Sequence, residues 1–342
     1  MSNGQPEQPT QRGVPRDSRD AKQVLVSGTG GPEALRVTRQ PPIGDHAGHA
    51  VVANNAIGVN FIDVYHRNGF YPLPTPFVPG VEGAGVIESA QNLQSDQRVG
   101  DRVGYIGMFG AYASRVSVPT DRLIPLPADI SDLNAAACLL QGITTYAMLH
   151  DVYHVQPGET ILVHAAAGGL GLLMCQWASA VGATVIGTVS SPEKATIAAA
   201  NGCTYPLLNT SPQWPEEVRD LTNGRGVPVV YDSIGRDTFT GSLDCLSLRG
   251  LLVSLGQSSG PPDPLDVPSL GGRGSLSITR PSVFHFVPDR VALLRAAEAV
   301  FAAIRQGRLR VEAKHLFPLD HAREAHTELE ARRTTGPLVL IP

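Results

Sequence analysis

One short stretch, Thr160-Ile-Leu-Val-His followed by Ala165-Ala166-Ala167-Gly168-Gly169-Leu170-Gly171, constrains this chain more than any other. An apolar run of strand length breaks at once into tiny residues. Leu170, Leu173, Met174, Trp177 and Val181 then recur at helical spacing, and Gly182 stands where a helix ends. Small residues at such a turn let the backbone approach a pyrophosphate. They also expose the free N–H groups of the helix and let it pack closely on its strand. The spacing is A-x-x-G-x-x-G, less specific by its letters than G-x-G-x-x-G, but the strand before and the helix after it supply the required context.

The alternation continues downstream. Thr184–Thr188 reads as the next strand, and Pro192 opens a helix that runs to Ala200. Tyr205–Leu208, Val227–Tyr231, Leu251–Leu255 and Ser275–Ile278 read as further strands, with helices near Glu216–Thr222 and Asp237–Leu246. Strands and helices in this rhythm predict a doubly wound parallel sheet of α/β class.

Upstream the pattern differs. From Gln23 to about Leu140, short apolar runs sit between Gly, Pro and Asp turns, as in a small, mostly β, partly closed barrel. After Pro281 come a helix over Asp289–Gln306, a short strand at Leu316, a helix over His321–Arg332 and a strand at Leu338–Ile341. That segment is too small to fold alone and is expected to complete the first domain. The expected organisation is a flexible tail over 1–22, a catalytic domain from 23–140 and 282–342, and a nucleotide-binding domain over 141–281.

Composition removes other classes. Of 342 residues 42% are hydrophobic, enough for a core. The net charge of -4 gives no basic surplus for nucleic acid. No apolar run approaches the roughly twenty residues of a spanning helix, and the polar opening does not read as a signal peptide. Cys138, Cys175, Cys203 and Cys245 lie far apart without a C-x-x-C. A reduced, cytoplasmic protein is the expectation. His46 with His49, and His150 with His154, have no third ligand in register and read as surface histidines.

The end of the second strand bears on the choice of cofactor. An NAD site places an acid there to hold the ribose hydroxyls. Here the text is Gly187-Thr188-Val189-Ser190-Ser191-Pro192-Glu193-Lys194, with hydroxyls at the tip and a lysine one turn into the helix, which suits an extra phosphate.

Several motifs together resemble the quinone oxidoreductases, the zeta-crystallin-like branch of the zinc-free medium-chain dehydrogenases/reductases. They are Val59-Asn-Phe-Ile-Asp-Val-Tyr-His-Arg-Asn-Gly-Phe-Tyr-Pro, Pro79-Gly-Val-Glu-Gly-Ala-Gly-Val, Gly100-Asp-Arg-Val, His164-Ala-Ala-Ala-Gly-Gly-Leu-Gly, Val230-Tyr-Asp-Ser-Ile-Gly-Arg-Asp-Thr and Thr279-Arg-Pro-Ser. The resemblance runs from Gln23 to Pro342. It implies a GroES-like, mostly β catalytic domain interrupted by a Rossmann domain, with NADPH (NADP) in the cleft between them. It also implies a homodimer joined along the Ser275–Ile278 edge strand.

Zinc in the wider superfamily is held by Cys and His early in the barrel and by a later G-H-E. Here that element reads Gly80-Val81-Glu82 and no cysteine precedes Cys138, so no tetrahedral set exists and no metal is expected. Reduction of a quinone or an activated C=C is then favoured over alcohol oxidation. The resemblance places Asn60, Tyr65 and Tyr71 as the catalytic group beside the nicotinamide: Asn60 and Tyr65 as donors to a developing oxyanion, Tyr71 as a stacking ring. Asp63, Arg67 and His164 read as structural, and Asp232 as a cap. Besides Asn60, the cofactor contacts it implies are Thr144, Gly168, Gly169, Leu170, Gly171, Thr188, Ser190, Ser191, Lys194, Ser233, Gly256, Gln257 and Ser258, with Arg280 and Arg332 on the adenine-phosphate side. Asn209 stands where the family usually has a tyrosine against that phosphate. An enone or alkenal double-bond reductase shares this fold and cofactor and is the first alternative. A crystallin-like or RNA-binding protein is the second.

Overall fold

The computed structural model describes residues 20–44 and 46–342. Most of the expected N-terminal tail lies outside the described residues; Ala21 is already buried, and the first strand begins at Lys22.

The β-rich part opens with β1 (Lys22–Val26) and β2 (Leu35–Arg39), an antiparallel pair. The long strand β3 (His49–Val59) leads directly into helix α1 (Phe61–Arg67). Strands β4 (Glu82–Ala90), β5 (Arg102–Ile106), β6 (Arg115–Pro119) and β7 (Ile124–Pro125) follow. Helix α2 (Asp132–Tyr146), capped by Ser131 Oγ on Asn134 N, is buried along most of its length and runs on into a wider turn over Ala147–Val152. The change of rhythm drawn at Gln141 therefore falls inside one continuous helix.

The alternating part is β8 (Thr160–Val163), α3 (Gly169–Val181), β9 (Thr184–Val189), α4 (Pro192–Ala199), β10 (Tyr205–Leu208), α5 (Trp214–Leu221), β11 (Val227–Asp232), α6 (Phe239–Asp244), β12 (Leu246–Ser254), α7 (Val267–Gly272) and β13 (Ser277–Thr279). Its six strands form one sheet in the order β10-β9-β8-β11-β12-β13, every pair parallel. Successive side chains on a strand point to opposite faces. Val163, Val185, Val229 and Val253 accordingly enter one core, while Leu162, Ile186, Val230 and Leu252 enter another on the far side. Strands buried on both faces are apolar throughout, and that continuity made them readable. The edge strand is shorter than expected: Ser275 has a φ of 58°, outside the extended region, and pairing begins only at Ser277.

After α8 (Arg290–Arg305), strand β14 (His315–Pro318), helix α9 (Ala322–Glu330) and strand β15 (Leu338–Ile341) return to the first sheet. β15 pairs antiparallel with β3, so the seven-stranded order is β14-β15-β3-β4-β5-β7, with β6 also on β3. The C-terminal segment completes the β-rich part, as its small size required.

Candidate active site

A cleft of about 820 Å³ opens between the two sheets. Its nucleotide-facing wall is the turn from β8 into α3. Gly168 starts the helix without a side-chain cap, so the first N–H groups of α3 keep their donor capacity for a ligand. Gly171 is needed for close approach: a Cβ there would lie 2.2 Å from Ala165 O. Gly182, at φ 97°, ends the helix in the left-handed conformation that glycine adopts freely.

At the tip of β9, Lys194 Nζ donates to Arg332 O at 2.5 Å and to Ser190 Oγ at 3.3 Å. Asn209 lines the same cleft. Desolvation, and then the Arg332 guanidinium, lower the Lys194 pKa; the negative charge of a phosphate placed there would oppose both by favouring the ammonium form. Ser191 does something else: its Oγ accepts from Lys194 N and caps α4. Thr188 is a correction. It is fully buried, and its Oγ1 lies 2.7 Å from His164 Nδ1, away from the cleft.

The opposite wall is built on α1. Asp63 Oδ2 accepts from Asn60 N at 2.8 Å and from Tyr112 Oη at 3.1 Å, fixing the start of the helix. Asn60 Nδ2 donates to Glu82 Oε2 at 2.8 Å, and its Oδ1 accepts from Gln141 Nε2 at 3.1 Å. Glu82 Oε1 accepts from Leu140 N at 2.6 Å, and burial pushes this carboxyl up to about 8. Asn60 is thus locked between strand β4 and helix α2, with one amide hydrogen already committed. Tyr65 Oη accepts from Gln257 N at 2.9 Å, which leaves the phenolic hydrogen to donate elsewhere. Tyr71 packs edge-on against Tyr65, with ring centroids 5.5 Å apart.

Arg280 is a second correction. Its Nη2 donates to Tyr71 Oη at 3.0 Å, and its Nη1 to Ser254 Oγ and Gly256 O. It clasps the aromatic wall, whereas Arg332 and Lys194 hold each other at the tip of β9. Gln257 also stands back from the cleft and acts through its backbone on Tyr65. Asn60, Tyr65, Tyr71, Thr144, Gly168, Gly169, Leu170, Gly171, Ser190, Lys194, Asn209, Ser233, Gly256, Ser258, Arg280 and Arg332 all line the one cleft.

The structural readings of the remaining residues agree with their contacts. Arg67, 1% exposed, forms a two-pronged pair with Glu330. Asp232 accepts from Ile234 N, Gly235 N, Thr238 and Ser242. Gln141, Glu82, His66, Phe109 and Phe284 escaped the sequence reading. His66 and Glu82 lay inside quoted motifs, but nothing in the letters separated the one from a core histidine or gave the other a partner.

Val81 lines the cleft with an alkyl side chain, and the described residues contain no group of three or more His, Cys, Asp or Glu that could hold a metal. The residues present therefore do not fit a tetrahedral zinc. All four cysteines are free and buried.

A glycine-turned helix on a doubly wound sheet, facing a β-rich body across an apolar cleft, defines a nucleotide-dependent oxidoreductase of the medium-chain type. Known proteins give the same answer. Residues 46–128 match the alcohol dehydrogenase GroES-like domain and residues 169–294 the zinc-binding dehydrogenase domain. A quinone oxidoreductase of Pseudomonas aeruginosa is 44% identical over 94% of this chain and 100% of its own. A 2-haloacrylate reductase of Burkholderia sp is 41% identical over 93% of this chain and 98% of its own. The crystal structure of Escherichia coli quinone oxidoreductase complexed with NADPH superposes with a TM-score of 0.92 at 40% identity, covering 94% of this chain and 100% of that one. The chain belongs to the quinone oxidoreductase family of the medium-chain dehydrogenases/reductases.

Proposed function

We propose that the protein is an NADPH-dependent reductase of quinones that works without a metal. The observation that carries this reading is one cleft joining two chemistries. The free N–H groups of α3 and the Lys194 ammonium offer an anion site, and Tyr65, Tyr71 and Phe109 offer an aromatic wall to a flat acceptor. The NADPH-bound relative supports the cofactor.

NADPH, when bound, supplies the hydride. The chain's own residues bind, orient and stabilise. Gly168, Gly169, Leu170 and Gly171 receive the pyrophosphate. Lys194, Ser190, Asn209 and Arg332 receive the extra phosphate, while Thr144, Ser233, Gly256 and Ser258 line the path of the dinucleotide. Tyr65, its oxygen lone pair taken by Gln257 N, directs its hydrogen to the acceptor oxygen. Asn60, held by Glu82 and Gln141, offers its remaining amide hydrogen. Tyr71 stacks on the acceptor, steadied by Arg280. NADPH consumption measured against a panel of quinones, enones and alkenals tests the reading. Turnover confined to non-quinone acceptors would transfer the assignment to C=C reduction, the second reading that the 2-haloacrylate reductase relative supports.

In this reading residues 23–140 and 282–342 form the catalytic domain and 141–281 the nucleotide-binding domain. The enzyme is placed in the cytoplasm, a reading supported by its four cysteines, which are all free. No helix among the described residues is long and apolar enough to cross a membrane. It is a homodimer joined through the edge strand β13, which among the described residues pairs with β12 alone. An exposed edge of this kind is open to pairing with a second copy.

A further inference from the structure

We propose that His66 is a catalytic residue whose imidazole N–H donates a hydrogen bond to the carbonyl oxygen of the acceptor, selecting planar conjugated carbonyl compounds such as 1,4-quinones. The inference rests on the reductase reading above and assigns a further donor in the same site. His66 is 5% exposed and lines the cleft on α1, one residue after Tyr65. Its ring meets Phe109 edge-on at 5.0 Å and lies 6.1 Å from Tyr71.

The other two fully buried histidines give the contrast. His164 has Thr188 at 2.7 Å and Ser242 at 2.9 Å on its two nitrogens. His326 has Tyr112 at 2.9 Å and Arg67 at 3.1 Å. His66 has neither: Nδ1 is enclosed without a partner, and burial is the one influence on its basicity, which it lowers. Buried polar groups are almost always paired; the enclosed Nδ1 is out of a ligand's reach, whereas Nε2 is not enclosed, has no hydrogen-bond partner among the described residues, and belongs to a ring that lines the cleft. The same burial keeps the ring neutral, with a single N–H. A bare acceptor nitrogen is less costly to enclose than an orphaned donor. The proton therefore sits on Nε2, leaving Nδ1 as the bare acceptor and giving the ring a donor for the cleft.

Hydride addition to a 1,4-quinone, with NADPH oxidised to NADP, leaves negative charge on an oxygen. The His66 N–H stabilises that oxygen, and water supplies the proton that completes the hydroquinone. A neutral imidazole does not need to give up its own proton.

His66→Phe keeps the ring packing and removes the donor, while His66→Gln restores an N–H. With NADPH and a 1,4-quinone, His66→Phe should lower kcat/KM about tenfold or more, and His66→Gln should recover most of the loss. The NADPH dissociation constant, read by fluorescence titration, should change in neither. An unchanged kcat/KM in His66→Phe, in a wild type that does reduce quinones, overturns the role of His66. Absence of any quinone turnover in the wild type overturns the reductase reading instead. NMR of the wild type labelled with ¹⁵N-histidine adds a measurement that needs no variant. The Nε2–H signal of His66 should move when hydroquinone and NADP bind, and a stationary signal rejects the contact.

Discussion

Replacing Lys194 by alanine should cost the protein its preference for NADPH while leaving its hold on NADH intact. The ammonium already spends hydrogens on Arg332 O and Ser190 Oγ, so it is fixed in place before any ligand arrives. The remaining N–H and the positive charge are uncommitted, and Lys194 lines the cleft beside the second strand, where an extra phosphate would sit. A charge-assisted hydrogen bond of this kind contributes about 1.5–3 kcal/mol. Lys194 is only part-buried, which screens the contact and favours the lower half of that range. At ~1.4 kcal/mol per decade, the NADPH dissociation constant should rise by about tenfold to fortyfold. NADH carries no such phosphate and should bind the variant as it binds the wild type. Fluorescence titration of both cofactors against both proteins reads the effect directly. Asn209, in place of the family's tyrosine, leaves Lys194 as the main determinant, so a variant that still prefers NADPH to the wild-type extent would refute the assignment of this corner.

Tyr65→Phe and Asn60→Ala should depress turnover far more than NADPH affinity, Asn60→Ala the more severely because it also strips partners from Glu82 and Gln141; equal losses in kcat and in NADPH binding would contradict these roles. Purified protein should carry no stoichiometric zinc and keep its activity in a chelator; one zinc per chain by elemental analysis, with activity lost on its removal, would contradict the reading of Val81. The Glu82 carboxyl keeps its proton in the folded protein up to about 8, against 4.5 for the ordinary side chain. Between those values the folded state binds more protons than the unfolded one, so Glu82's contribution to stability falls as pH rises through the window. Glu82→Gln should flatten that fall in urea unfolding curves; an unchanged pH slope would show that the carboxyl ionises freely.

How much was legible in the sequence depended on whether the signal was local. The β8–α3 turn was readable because strand, tiny residues and helical stripe lie within twenty-two positions, Thr160 to Val181. Gly182, Pro192 and the apolar strands of the parallel sheet were readable for the same reason. Contacts between remote segments were not. Arg280 reaches Tyr71 across 209 positions, and no periodicity links the two. Thr188 sits in a strand whose residues alternate faces, and the tip of the motif did not reveal which face it took. The Glu82–Asn60–Gln141 chain joins the starts of a strand and a helix to the middle of another helix, and its letters are ordinary polar residues. Helix α2 hid the change of rhythm at Gln141 because it is packed on nearly all sides and shows no amphipathic stripe to break.

Reduction of a 1,4-quinone by metal-free protein, followed as cofactor consumption with NADPH and NADH in parallel, tests the central claim most directly. The account predicts turnover with NADPH, a clear excess over NADH, and no change on adding zinc. Turnover that appeared only with zinc, or that ran equally well on NADH, would contradict it.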